Sequence, residues 1–270
     1  MLSEKQIEFT KDNIDTYLKE VAKEYRKQVG KNMPAEIVLI GGASVLVNYG
    51  FREMTTDIDA VIHAASAMKD VINRVGDRYG LPNGWLNQDF AKTASYSPKL
   101  VQISEYYKTY SNVLTIRTVA AEYLVAMKLR SGRQYKSDLS DVLGILAEHK
   151  QKGKPIKLEQ IQKAVANLYG SWDSLPKSSQ NFIQNVMQDG RFADLYEQTV
   201  IGEKETKSLL LCFEKDYPGV TTGDNVDDIS ETLQKKTSRA SVLATLRERK
   251  AEADVLRSAD TNRQKDDPER

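Results

Sequence analysis

With 270 residues, 40% of them hydrophobic and 29% charged, the chain has the composition of a soluble globular protein of one or two domains, with no internal repeat. Its 39 basic and 38 acidic residues leave a net charge of +1. That balance argues against a dedicated DNA-coating surface, and no apolar run approaches the ~18 residues of a membrane helix.

The elements follow in chain order. The start, MLSEKQIEFTKDN, is charged and lacks the apolar core of a signal peptide. Lys11 to Val29 is predicted as a helix, with Leu18, Val21, Ala22, Tyr25 and Val29 on one face and Gly30 at its end. Glu36 to Ile40 reads as a buried strand. Gly41-Gly42 turns the chain into a short helix, Ser44 to Tyr49. Asp57 to His63 is a second strand. Met68, Val71, Ile72, Val75 and Tyr79 mark an amphipathic helix stopped by Gly80 and Pro82. The segment NGWLNQDFAKTASYSPK reads as irregular, and Leu100 to Ser104 and Asn112 to Arg117 as two further strands.

From Thr118 the period becomes helical. Thr118 is expected to cap a helix running to Leu129, and Ser137 another carrying Leu139, Val142, Leu143 and Leu146. After QKGKP come helices bearing Leu158, Ile161, Val165 and Leu168, then Phe182, Ile183, Val186 and Met187, then Leu209, Leu210 and Phe213, with Pro218-Gly219 closing the block. The single cysteine, Cys212, is expected to be a small buried hydrophobe on the last of these. Alone it forms no internal disulfide, which fits a reducing cytoplasm. An amphipathic helix is expected around Val242 to Leu246. Arg247 to Arg270 carries seven basic and seven acidic residues and only Val255 and Leu256 as large aliphatics, too little apolar surface to offset ordering.

The expected fold class is α+β. A small mixed β-sheet of four strands has helices packed on one face and is followed by an all-helical C-terminal part. The expected divisions are residues 1–150, 151–218 and a polar tail 219–270.

The chemistry concentrates in IVLIGGASVLVNYGFREMTTDIDAVI, Ile37 to Ile62. On a strand, side chains alternate faces, so Ile58, Ala60 and Ile62 enter the core while Asp57 and Asp59 share the opposite face. Two neighbouring carboxylates repel unless a cation lies between them, and Mg²⁺ accepts such oxygen ligands together with substrate phosphates. The glycines of Gly41-Gly42-Ala43-Ser44 let backbone amides approach an anion, and a helix start favours phosphate. This is equipment for phosphoryl or nucleotidyl transfer. Neither a P-loop nor a G-x-G-x-x-G fingerprint occurs. His63 and His149 have no ligand spacing and read as structural.

The order strand, Gly41-Gly42-Ala43-Ser44, short helix, Arg52, Thr55-Thr56, Asp57-Ile58-Asp59 resembles the DNA polymerase β-type nucleotidyltransferase superfamily. Within it the chain is most similar to bacterial minimal nucleotidyltransferases related to the AbiEii abortive-infection toxins. GWLNQDF, Gly84 to Phe90, and AAEYLVAMKLRSGRQYKSDLSDVLGIL, Ala120 to Leu146, extend the likeness, with Lys128, Arg133, Asp138 and Asp141 at the matching positions. The resemblance covers Ile37 to Leu146. It implies transfer of a nucleoside monophosphate from an NTP to an acceptor, with release of pyrophosphate.

In that reading Asp57 and Asp59 hold Mg²⁺ (or Mn²⁺), and Lys128 neutralises phosphate charge. Gly41, Gly42, Ser44, Arg52, Thr56 and Arg133 bind the nucleotide. The acceptor is an RNA such as tRNA, or a protein, and a toxin–antitoxin or phage-defence setting implies an antitoxin partner. The chain departs from the superfamily at a third carboxylate. KLVQIS offers Gln102 there, with Asp89 and Glu105 as substitutes. Transfer to an antibiotic or other small molecule, or a degenerate nucleotide-binding or interaction module, remain the alternatives.

Overall fold

A computed structural model of the chain describes residues 7–223 and 225–236. The segments expected to form the helix at Val242 and the polar tail lie outside the described residues. The chain divides into two compact units. One comprises Met1–Arg133 with Ser137–Val200, the other Gln134–Lys136 with Ile201–Arg270.

The first unit is built on a five-stranded mixed sheet in the order β3-β2-β1-β5-β4. Its strands are β1 (Ala35–Leu39), β2 (Ile58–His63), β3 (Leu86–Asn87), β4 (Ser104–Tyr110) and β5 (Leu114–Val119). β1 runs antiparallel to β2 and parallel to β5. β2 pairs parallel with β3, Asp59 lying opposite Asn87. β4 and β5 form an antiparallel hairpin with an irregularity between Tyr106 and Lys108. Its turn places Ser111 and Asn112 both at φ 52°, the mirror-image geometry that matches the twist of a hairpin.

Strand alternation gives the sheet two apolar faces. Ile37, Leu39, Ile58, Ala60, Leu114 and Ile116 pack against α1 (Lys11–Val29) and α3 (Ala67–Tyr79). α1 starts at a reciprocal cap. The Asn13 N–H donates to Thr10 Oγ1, and the Thr10 N–H donates to Asn13 Oδ1. Tyr25, Leu18 and Val21 are fully buried on its inner face. On the other face, Val38, Ile40 and Val119 join a second cluster. It includes residues of α2 (Gly41–Asn48), α4 (Ala121–Ser131), α5 (Asp138–Gln151), α6 (Leu158–Tyr169) and α7 (Lys177–Asp189). Each fully buried Leu, Ile or Val contributes about 1.5–3 kcal/mol of hydrophobic free energy. α8 (Phe192–Asp216) continues the helical series, and residues 226–236 are helical in the second unit. There Gln234 Nε2 donates to Thr206 Oγ1, closing α8 against that helix. Among the described residues, no helix is long and apolar enough to cross a membrane.

The mixed sheet and the helical C-terminal part agree with the sequence pattern, but helices cover both faces of the sheet rather than the expected one, because both faces are apolar; local expectations are corrected as well. Leu100 to Ser104 is not a strand. Pro98 fixes a 3₁₀ turn over Pro98–Leu100, capped when Ser97 Oγ accepts from the Lys99 N–H, and the strand begins only at Ser104. The fifth strand, β3, lies inside the segment read as irregular, because two residues are too few to show a period. Thr118 does not cap α4. It stays in β5 opposite Leu39, and Ala120 holds the cap position. Cys212 is exposed rather than buried.

The loop between α2 and β2 is held from both sides. Glu148 accepts from the Gly50 N–H (2.6 Å) and the Phe51 N–H (3.3 Å). The Phe51 ring lies on Gly144 of α5, where an added Cβ would stand 2.5 Å from Cε2. Gly144→Ala is therefore expected to overpack this contact and destabilise the protein by about 1–3 kcal/mol, read as a lower urea midpoint at unchanged m-value.

Candidate functional site

The site forms where β1 passes into α2. Ile40 is the N-cap, and both glycines are the first residues of the helix, so α2 starts earlier than the expected Ser44. Gly41 takes φ +55°, a conformation that favours glycine. The Ile40 N–H donates to the Asp59 carbonyl (2.9 Å), tying the start of α2 to β2. A Cβ on Gly41 would stand 3.8 Å from Asp59 Oδ2. A Cβ on Gly42 would stand 2.6 Å from Thr55 Oγ1 and 3.0 Å from Arg52 Nη2. The helix start thus has a carboxylate beside its first residue and a guanidinium beside its second. Its leading amides have no carbonyl one turn back, which makes this end attractive to anions.

Ile58 and Ala60 are buried in the first cluster, Asp59 is half-buried between them in β2, and Asp57 is exposed just before the strand begins. Thr55 Oγ1 donates to Asp57 Oδ1 at 3.5 Å. Thr55 itself is buried and pinned from behind. It exchanges two backbone hydrogen bonds with Phe9, at 2.7 and 2.8 Å. Phe9 is fully buried and stacks on Trp85, whose carbonyl accepts from the Ile58 N–H. This strap before α1 gave no sequence signal, because one isolated bridge has no periodicity. Thr56 is exposed beside Asp57.

Ser44 stands one turn into α2 and is fully buried. Its Oγ accepts from the Val119 N–H (3.2 Å), satisfying the end of β5. Arg52, Lys128 and Arg133 converge with Asp138 and Asp141 in a buried ionic cluster. Arg52 Nη1 donates to both oxygens of Asp141 (2.7 and 2.5 Å), and Arg52 Nε donates to the Met54 carbonyl. Lys128 Nζ bridges Asp138 (3.0 Å) and Asp141 (2.7 Å). Arg133 Nε donates to Asp138 (2.7 Å). The carboxylate side chains are only 1% and 3% exposed.

Burial pushes the Asp138 carboxyl up, but Lys128 and Arg133 outweigh it and bring its pKa down to about 2. Burial works against the charge of Lys128 as well. Asp141 and Asp138 overcome it and hold its pKa above the usual lysine value, with Arg52 opposing them.

A divalent metal is tested by the donor set. Asp59 offers hard oxygens beside an anion-attracting helix start, and Asp57 reaches the same region through Thr55. That suits Mg²⁺, which binds through one or two carboxylates and takes its remaining ligands from water and phosphate. Among the described residues, no group of three or more His, Cys, Asp or Glu side chains is placed to hold a metal. The position in register with Asp59 on the neighbouring strand is Asn87, whose Oδ1 accepts from the Asp89 N–H and whose Nδ2 donates to the Gly84 carbonyl. Gln102 lies in a turn, Asp89 pairs with Lys92, and Glu105 sits in β4 opposite Thr118. Of the two histidines, His149 contacts the Tyr49 hydroxyl and the Lys154 carbonyl, and His63 is exposed at the end of β2.

The strand, the glycine turn opening a helix, and the two aspartates at and just before the next strand all fall within one stretch of the chain. Residues 16–150 match the family model described as a nucleotidyltransferase of unknown function (DUF6036), and the chain belongs to that family. No curated protein and no solved structure matches the chain.

Two stability outcomes follow from the cluster. Lys128→Met removes the cation shared by two buried carboxylates and is expected to cost about 3–5 kcal/mol in denaturant unfolding. Asp138 has its pKa lowered from 3.8 to about 2 on folding. Its stabilisation is therefore complete above the unfolded value and is lost as pH falls through the folded one. The amount is on the order of 2 kcal/mol. Urea melts between pH 5 and 2 should show this acid limb, and Asp138→Asn should flatten it.

Proposed function

We propose that the protein transfers a nucleoside monophosphate from an NTP to an acceptor and releases pyrophosphate. The observation that carries this reading is the flanking of Gly41-Gly42 by the Asp59 carboxylate on one side and the Arg52 guanidinium on the other. Asp57 and Asp59 hold Mg²⁺ or Mn²⁺, which when bound supplies positive charge to the triphosphate and the attacking oxygen. The leading amides of α2 and the Nη2 arm of Arg52 receive phosphate oxygens. Thr56 is exposed beside Asp57. Ser44 fixes the helix start to β5. Lys128 and Arg133 add their charge through the cluster that seats Arg52.

The likeness of Gly41–Asp59 and Lys128–Asp141 to AbiEii-type toxins supports an RNA such as tRNA, or a protein, as acceptor, and an antitoxin as partner. It rests on sequence alone. One observation favours a second reading. With Asn87 opposite Asp59 in place of a third acid, the site also suits a module that binds nucleotide without transferring it.

The test incubates the purified protein with each α-labelled NTP, Mg²⁺, and either total tRNA or cell lysate. Label moving to RNA or to protein is expected. Asp57→Asn and Asp59→Asn should each lower transfer about 10²-fold or more without changing the unfolding midpoint by much, because Asp57 is exposed and Asp59 only half-buried. NTP binding without any transfer selects the second reading.

A further inference from the structure

We infer that Asp141 is a positioning residue for the nucleotide site and acts through Arg52. The inference rests on the reading of Gly41-Gly42 as the triphosphate turn. Three arms of the Arg52 guanidinium have separate tasks. Nε is held by the Met54 carbonyl, and Nη1 by both oxygens of Asp141. Nη2 makes no hydrogen bond to a described residue and lies 3.0 Å from where a Cβ on Gly42 would stand. The first two contacts fix the guanidinium plane, so the third arm is aimed at the helix start before any anion arrives.

Asp141 is placed to do this. It lies in the first turn of α5, its side chain only 3% exposed, and Lys128 Nζ at 2.7 Å fixes its orientation in turn. Asp138, one turn-face neighbour on the same helix, is just as buried and also touches Lys128, yet its other partner is Arg133. The two acids therefore separate cleanly. Both stabilise the cluster, but only Asp141 holds the guanidinium beside Gly42. Long arginine side chains lose much rotamer freedom on being fixed, and a site that has ordered one in advance does not pay for that ordering on binding.

This role has a sign opposite to that of charge alone. The cluster holds three cations, Arg52, Lys128 and Arg133, and two anions, Asp138 and Asp141, a formal charge of +1. Neutralising Asp141 raises that charge, so bulk electrostatics predicts tighter anion binding. Positioning predicts weaker binding.

The experiment titrates inorganic triphosphate with Mg²⁺ into the full-length protein by calorimetry. This probe carries the anion common to all NTPs without choosing a base. Asp141→Asn is expected to weaken binding about tenfold, Asp138→Asn to leave it within about twofold, and Arg52→Gln combined with Asp141→Asn to be no weaker than Arg52→Gln alone. Arg52→Lys keeps the charge but cannot hold Asp141 and reach Gly42 at once. It is expected to lose about tenfold also, and it serves if Asp141→Asn does not fold. Equal or tighter binding by Asp141→Asn, equal losses at both acids, or unchanged binding by Arg52→Lys overturns the positioning role while leaving the nucleotide reading intact. A wild-type protein that does not bind triphosphate overturns both.

Discussion

A guanidinium from the loop after α2 and a carboxylate from α5 meet 89 residues apart in sequence, and much of the first unit is organised around that contact. Charged groups removed from water are tolerated only when each has a partner. Arg52 requires Asp141, Asp141 and Asp138 share Lys128, and Arg133 completes Asp138. Satisfying this chain of demands fixes α4 against α5 and draws the loop bearing Phe51 onto Gly144. The apolar clusters decide that the unit is compact. The ionic cluster joins that helix pair to the loop leading into β2.

The site is accordingly supported from three directions. Behind the loop, the Phe9 strap holds Thr55 by two backbone bonds. Beneath it, Ser44 joins α2 to β5. Beside it, Asp141 holds Arg52. Phe9 and its stacking partner Trp85 link the strap to the short strand next to β2. Phe9 precedes the span matched by the family model, which begins at residue 16, so part of what shapes the loop belongs to sequence outside that match. Such support matters for a site built on a loop, where a displacement of about 1 Å can remove much of the gain from orientation.

How much of this was readable in the sequence depends on the range of the interaction. The alternation in Asp57-Ile58-Asp59-Ala60 announced a strand with Ile58 and Ala60 in the core, because side-chain direction is a local property with period two. The apolar stripe of α1 and the long helical series after Ala120 were legible for the same reason. The 3₁₀ turn at Pro98 and the two-residue strand at Leu86 were not, since neither is long enough to show a period. Within the site, the glycine turn and the acids could be found by pattern. The bonds of Ser44 to Val119, of Phe9 to Thr55 and of Arg52 to Asp141 could not, because each joins groups that only the folded chain brings together. Arg52, Lys128, Asp138 and Asp141 were each visible as charged residues at suggestive positions, but their pairing is a tertiary fact.

The hairpin irregularity at Tyr106 and Lys108 bears on how copies of the protein meet. An open sheet has two rims, and a rim of unpaired main-chain groups can template another chain. Here one rim is β3, only two residues long, and the other is β4, interrupted midway and carrying a lysine half exposed to solvent. Neither offers a continuous row of donors and acceptors for stacking one sheet onto the next. Both edges are thus poor templates for joining one sheet to another.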